Sequence, residues 1–137
     1  MTVKEKEQSI LKDFEDLGDE MLIFDYMFSL ASVTEWMDES RKTAGNKVPG
    51  CQSGVWMDAE CKNHVIKVKC ASDSLIVSGI LALIMRIVDG APCMEVADHR
   101  FELLEDTFLS EYLSEERVLG LKSVIDTIHE RAKANIR

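Results

Sequence analysis

Val55-Trp56-Met57-Asp58-Ala59-Glu60-Cys61-Lys62-Asn63-His64-Val65-Ile66-Lys67-Val68-Lys69-Cys70 carries two alternating runs separated by a polar break. In the first run Val55, Met57 and Ala59 alternate with Trp56, Asp58 and Glu60. In the second, Ile66, Val68 and Cys70 alternate with Val65, Lys67 and Lys69. A period of two puts each apolar set on one face of a strand, so the segment predicts a β-hairpin. A turn at Lys62-Asn63 would set Ala59 opposite Ile66, Met57 opposite Val68 and Val55 opposite Cys70. The same register sets Asp58 against Lys67 and Trp56 against Lys69, apolar facing apolar and acid facing base. A one-residue slip would turn both faces over.

The flanks of the hairpin have the other period. Ile10, Leu11, Phe14 and Leu17 step by three or four toward Gly18, a helix terminator. Asp19 can cap a second helix bearing Met21, Leu22, Phe24, Met27, Phe28, Leu30 and Ala31 and fading near Met37. Its apolar residues cover most of the circumference, which predicts a central helix. Asp38 to Asn46 is polar and reads as loop. After the hairpin, Ser72-Asp73-Ser74 offers caps for a helix with Ile76, Val77, Ile80, Leu81, Ile84, Ile87 and Val88 inward, stopped by Asp89-Gly90. Pro92 suits the start of a short helix through about Asp98, and Phe101 to Phe108 reads as another. Ser114 caps a last helix with Val118, Leu121, Ile125, Ile128 and Ala132 as its stripe. The expected fold is α+β. A small antiparallel sheet, the hairpin at about 54–71 with a candidate short strand at about 45–48, packs against N-terminal and C-terminal helices.

The 137 residues are enough for one domain, 1–137, with a real core. The chain is 46% hydrophobic and 30% charged, a globular balance. A net charge of −9 argues against nucleic acid, which needs phosphate-neutralising Lys and Arg. The N-terminus is charged, and the apolar run from Leu75 to Val88 is interrupted and too short for a bilayer. Neither a secretory leader nor a membrane partner is expected. Four cysteines without a leader suggest free thiols in a reducing cytoplasm.

Among those four, Cys51 has a distinct setting. Pro49 and Gly50 favour a turn immediately before it and the first strand begins soon after, so its thiol should project from a loop. An exposed thiolate is a nucleophile. Cys61, Cys70 and Cys93 sit among apolar residues or at element ends and read as structural. His64, His99 and His129 are scattered, which gives a hydrolytic Cys-His pair little support. Cys61-x-x-His64 has metal-ligand spacing, and Cys51 with Cys70 would complete an iron–sulfur or metal scaffold. No second close pair accompanies it, however, and Cys70 would face the core. Phosphate-binding glycine motifs are missing, and the carboxylates are dispersed. Arg117 falls in the first turn of the last helix, where the dipole gives a cation no support. Gly120 costs that helix about 1 kcal/mol, which suggests that another segment packs close there.

Three blocks together resemble the SufE family of sulfur acceptors. Val48-Pro49-Gly50-Cys51-Gln52-Ser53, followed by Val55-Trp56, is similar to the family's active-site loop. Ser72-Asp73-Ser74 leading to Val77 and Gly79 is similar to the entry to its central helix. Leu113-Ser114 with Arg117, Gly120 and Leu121 is similar to its C-terminal signature. The resemblance implies that Cys51 takes persulfide sulfur from a PLP-dependent cysteine desulfurase and stimulates that enzyme. It also implies delivery to a downstream iron–sulfur scaffold. PLP would sit on the partner, with neither cofactor nor metal on this chain, an accessory protein with a covalent persulfide rather than a stand-alone enzyme. By the same resemblance Gly50, Gln52, Ser53, Asp73 and Arg117 would support the loop or meet the partner. Two departures stand out. Gly54 occupies a place expected to hold a larger polar residue, which would loosen the loop. Cys61, Cys70 and Cys93 lie outside the family pattern, which leaves room for a side disulfide.

Overall fold

A computed structural model describes residues 1–51, 53–105 and 108–134. The order of elements is α1 (Val3–Leu17), α2 (Glu20–Ser32), β1 (Val55–Lys62), β2 (Val65–Ser72), α3 (Leu75–Val88), α4 (Cys93–Asp98), α5 (Phe108–Tyr112) and α6 (Glu115–Lys133). Most boundaries follow from local chemistry. Gly18 ends α1 in the left-handed conformation at φ 61°, and Asp19 Oδ1 accepts from the Met21 and Leu22 amides to start α2. Ser74 Oγ accepts from the Val77 amide at α3, and Ser114 Oγ from the Arg117 amide at α6. Of the 101–108 stretch expected to be helical, 101–105 forms a turn instead, 106–107 lie outside the described residues, and α5 begins at Phe108.

The antiparallel hairpin has the expected faces but not the expected partners. Ala59 lies opposite Val68, Met57 opposite Cys70 and Val55 opposite Ser72, while Asp58 faces Lys69 and Glu60 faces Lys67. Every partner is shifted by two from the sequence register, so the apolar set stays inside. The turn decides this. It falls at Asn63-His64, both left-handed at φ 54° and 69°, the geometry that two-residue hairpin loops require. Asn accepts that conformation more readily than the Lys62 that an earlier turn would have used. Lysines at both 67 and 69 make charge pairing work in either register, which is why pairing alone did not discriminate. The expected strand at about 45–48 contracts to a single bridge, Lys47 to Trp56, after a 3₁₀ turn at Ala44–Asn46. On the opposite edge Pro92 bridges Val65, and the Ile66 amide donates to Ala91 O at 2.9 Å. Both outer edges of the hairpin therefore have company.

The central helix is α3, not α2. Val77, Gly79 to Met85, Ile87 and Val88 are all buried. Only Ile23 and Met27 of α2 are, whereas Met21 is 76% exposed. An apolar circumference did not mean full burial here: α2 packs closely on α3 and touches α1 through Phe14 and Tyr26, which leaves Met21 and Leu22 exposed and Phe24, Tyr26 and Leu30 only partly covered. The contact it makes is close. A Cβ added to Gly79 would stand 3.2 Å from Met27 Cβ.

Two long-range ties brace the frame. Glu7, on the buried stripe of α1, is wholly inaccessible. Its Oε1 lies 2.9 Å from His99 Nε2, and its Oε2 accepts from the amides of Glu102 at 3.0 Å and Leu103 at 3.1 Å. His129 Nε2 in turn lies 2.7 Å from His99 O, bringing α6 into the same network. The second tie is a disulfide between Cys61 at the end of β1 and Cys93 at the start of α4, with Cα atoms 6.2 Å apart. The expectation of four free thiols is thereby corrected: Cys51 and Cys70 are free, and the other two are bridged. Spacing could not show this, because residues 32 apart are brought together only when α4 folds back beside β2. Among the described residues no helix is long and apolar enough to cross a membrane.

Candidate functional site

Residues 48–51 and 53–54, the described limbs of an arch, have two feet fixed to different elements. At the first foot, the Val48 amide donates to Val55 O at 2.8 Å, and Pro49 O accepts from Ser123 Oγ of α6, also at 2.8 Å. Gly50 follows at φ 81°, a left-handed conformation that would strain a side chain. At the second foot, the Gly54 amide donates to Asp73 Oδ1 at 2.9 Å. Gly54 O accepts from Ser72 Oγ at 2.8 Å and from the Asp73 amide at 3.2 Å.

Cys51 sits at the crown, half-buried. Its thiol donates to Gly120 O, with 3.4 Å between sulfur and oxygen. Gly120 makes that seat available, since a Cβ there would lie 3.2 Å from Cys51 Cα and 3.3 Å from Sγ. The expectation that a segment packs closely on this glycine is met by the arch itself. Beside the thiol is a small cleft lined by Cys51, Ser53, Val55, Val77, Arg117 and Gly120, with room for about one water-sized group. Partial burial pushes the Cys51 thiol up from its ordinary range, which favours the protonated form in this seated state.

Gly50, Ser53, Asp73 and Arg117 are all brought to this region. Gln52 lies outside the described residues. Asp73 acts on the loop directly, as the acceptor that fixes Gly54, and Arg117 reaches it as a wall of the cleft. Sequence reasoning missed Ser123, whose only signal was its position one turn beyond Gly120 on the same face. It also misjudged Gly54. A Cβ there would fall 2.6 Å from the Trp56 ring and 2.7 Å from Asp73 Oδ2. A side chain at this position would have to displace Trp56 or Asp73, and the hydrogen bonds of Gly54 tie the loop down at that point instead of loosening it.

Residues 8–132 match the SufE family model, described as an Fe-S metabolism associated domain. The chain belongs to the SufE family. A SufE-like protein of Rhizobium etli is 33% identical over 129 residues, covering 90% of this chain and 87% of that one. A second, from Rhizobium meliloti, is 30% identical over 93% of this chain and 94% of its own length. The SufE region also matches 14% of the length of the chloroplastic quinolinate synthase of Arabidopsis thaliana, at 32% identity over 102 residues. The solution structure of a hypothetical protein from Thermus thermophilus superposes with a TM-score of 0.81 over 96% of both chains, at 14% identity. That likeness establishes the α+β fold. Family membership establishes a role in iron–sulfur metabolism.

The remaining cysteines of this SufE chain are placed away from such chemistry. The alternative metal scaffold of Cys51, Cys61, Cys70 and His64 is not assembled. Cys61 is bonded to Cys93, Cys70 is wholly buried, and His64 stands opposite no cysteine but in the hairpin turn. Among the described residues no group of three or more potential ligands comes together.

Burial, with the Asp89 carboxyl adding to it, pushes the Cys70 thiol from 9.0 up to about 12. Between those values the folded chain keeps a proton that the unfolded chain has lost. The thiol's contribution to stability is therefore intact below about pH 9 and is lost as pH rises through about 12. The stability advantage of the native chain over Cys70→Ala should hold steady from about pH 6 to 8 and shrink toward about pH 11. Urea denaturation of the two proteins side by side measures it.

Proposed function

We propose that this SufE-family chain is a sulfur acceptor and carrier. Cys51 takes the outer sulfur of a cysteine persulfide formed on a PLP-dependent cysteine desulfurase and later yields it to an iron–sulfur scaffold. The observation that carries the proposal is the seat of Cys51: a thiol on a two-footed arch, beside a cleft with room for about one further atom of water size. In the transfer, the Cys51 thiolate attacks the terminal persulfide sulfur. A new S–S bond forms on Cys51, the partner's S–S bond breaks, and the partner cysteine leaves as thiolate. The proton of Cys51 goes to solvent as the arch leaves its seat. No acid–base triad is required, because the desulfurase has already activated the sulfur. PLP belongs to that enzyme in this reading, and the present chain supplies the nucleophile and a shelter.

The test is intact-mass analysis after incubation with a cysteine desulfurase, PLP and cysteine. The native chain and Cys70→Ala gain one sulfur and raise desulfurase turnover, whereas Cys51→Ser does neither. Sulfur uptake and normal stimulation by Cys51→Ser would overturn the assignment.

A further inference from the structure

The sulfurs of Cys61 and Cys93 are joined at a place where the backbone is already held. Cys61 lies opposite Ile66 in the hairpin. The Ile66 amide donates to Ala91 O at 2.9 Å, and Ile66 O accepts from the Gly90 amide at 2.7 Å. The Cys93 amide donates to His64 O at 2.9 Å, and Pro92 bridges Val65. These bonds keep residues 90–93 beside β2 without using either sulfur. The two Cα atoms stand 6.2 Å apart, inside the range that a disulfide spans. Breaking the S–S bond therefore leaves two thiols placed to close it again.

The two ends of the bridge are unequal. Cys93 is 4% exposed and belongs to the core. Cys61 is half-buried, and its sulfur lies 3.8 Å from the carbonyl oxygens of both Arg131 and Ala132 in the last turn of α6. After reduction those carbonyls are ready acceptors for the Cys61 thiol. The Cys93 thiol, a weak donor, suits the apolar surroundings it already has. Both oxidation states thus fit one fold, and one sulfur is open to attack.

We infer that Cys61 and Cys93 are an exchangeable thiol–disulfide couple, entered at the Cys61 sulfur by a small thiol of the glutathione class. The glutathione thiolate attacks Cys61 Sγ. A mixed disulfide forms there, the Cys61–Cys93 bond breaks, and Cys93 leaves as thiolate and is protonated. A second glutathione thiolate attacks the glutathione sulfur of the mixed disulfide, and Cys61 leaves as thiolate and is protonated in turn. The chain has gained two electrons and two protons, and one oxidised glutathione is released. Oxidised glutathione runs the steps backwards. The couple sets the stability of the frame, because only the bridged form restricts the unfolded chain between residues 32 apart. It is separate from the sulfur chemistry proposed for Cys51. That thiol rests on Gly120, eleven residues before Arg131 on α6 and about 17 Å along its axis.

The test begins with folded native protein equilibrated in a series of reduced-to-oxidised glutathione ratios, acid-quenched, alkylated and mapped by peptide mass. The pair should pass from bridged to fully reduced along one curve, whether approached from the oxidised or the reduced protein. A pair that resists reduced glutathione until urea unfolds the chain is a fixed staple and overturns the couple. So does a pair that does not re-form in the folded protein. The entry point is read from glutathione uptake by Cys93→Ser and Cys61→Ser, both treated with oxidised glutathione. Cys61 in the first should react at least about tenfold faster than Cys93 in the second, because of their unequal burial. Equal rates, or the reverse order, overturn entry at Cys61. The titration uses only native cysteines, so it decides the couple even where a serine variant folds poorly. Reduction should raise the unfolding equilibrium constant about a hundredfold, seen as a lower urea midpoint, and leave the Cys51 alkylation rate unchanged. Coincident midpoints overturn control of stability, and an altered Cys51 rate overturns the separation of the two thiol sites.

Discussion

Glu7→Leu lowers the free energy of unfolding by about 3–5 kcal/mol and leaves the alkylation rate of Cys51 at its native value. Glu7 is the only charged side chain among the buried described residues, and three donors or donor-capable groups converge on it: His99 Nε2 and the amides of Glu102 and Leu103. Leucine fills much of the volume but leaves all three without their partner, the Leu103 amide in a buried setting and the other two part-buried, and each unsatisfied buried group costs about 1–3 kcal/mol. Glu7→Gln should cost less. Its carbonyl oxygen can still take the two amides, and its NH₂ can face His99 as the ring adopts the complementary tautomer. Urea denaturation of the three proteins gives the ranking. Equal losses for Leu and Gln would show that the network contributes packing, not hydrogen bonding. The Cys51 arch shares no described contact with Glu7, so thiol reactivity separates this structural role from the site.

Gly120→Val acts on the site and spares the frame. A single Cβ would already lie 3.2 Å from Cys51 Cα and 3.4 Å from Gly50 O, and valine adds two further carbons. The helix backbone is held by its buried stripe, so the arch is the part that moves. Overpacking typically costs about 1–3 kcal/mol, which would shift the seated arch toward open states by about tenfold to a hundredfold. The alkylation rate of Cys51 should rise by a similar factor. Its thiol pKa should fall back toward the ordinary range, because the shift has burial as its cause. The same helix position gains a few tenths of a kcal/mol from replacing glycine, so the urea midpoint stays near native. A native alkylation rate in Gly120→Val would mean that Cys51 does not rest on this helix in solution.

The parts of this protein that could be read ahead of the structure share one property: their cause is local. Alternation between residues 55 and 70 assigned the buried hairpin face correctly even though the partners were two residues out, because a period of two tolerates that slip. Ser74, Ser114 and Gly18 marked helix ends through side-chain caps or a left-handed backbone, each settled within four residues. Pro49-Gly50 marked Cys51 as a loop thiol for the same reason. α2 shows where the logic stops. Its apolar circumference correctly indicated helix, but which helix lies at the centre depends on what packs against it, and α3 took that place.

By itself, then, the sequence determined the α+β class, the inward faces of the strands and of α1, α3 and α6, and the candidate nucleophile. Tertiary structure alone decided the rest: Ser123 beneath Pro49 across 74 residues, Glu7 against His99 across 92, and Cys61 bridged to Cys93 across 32. Backbone preference and hydrophobic period act over a few residues and leave a direct trace in the order of side chains. A meeting between distant polar groups or thiols leaves none, because it exists only once the burial of apolar surface has set the helices and the hairpin side by side.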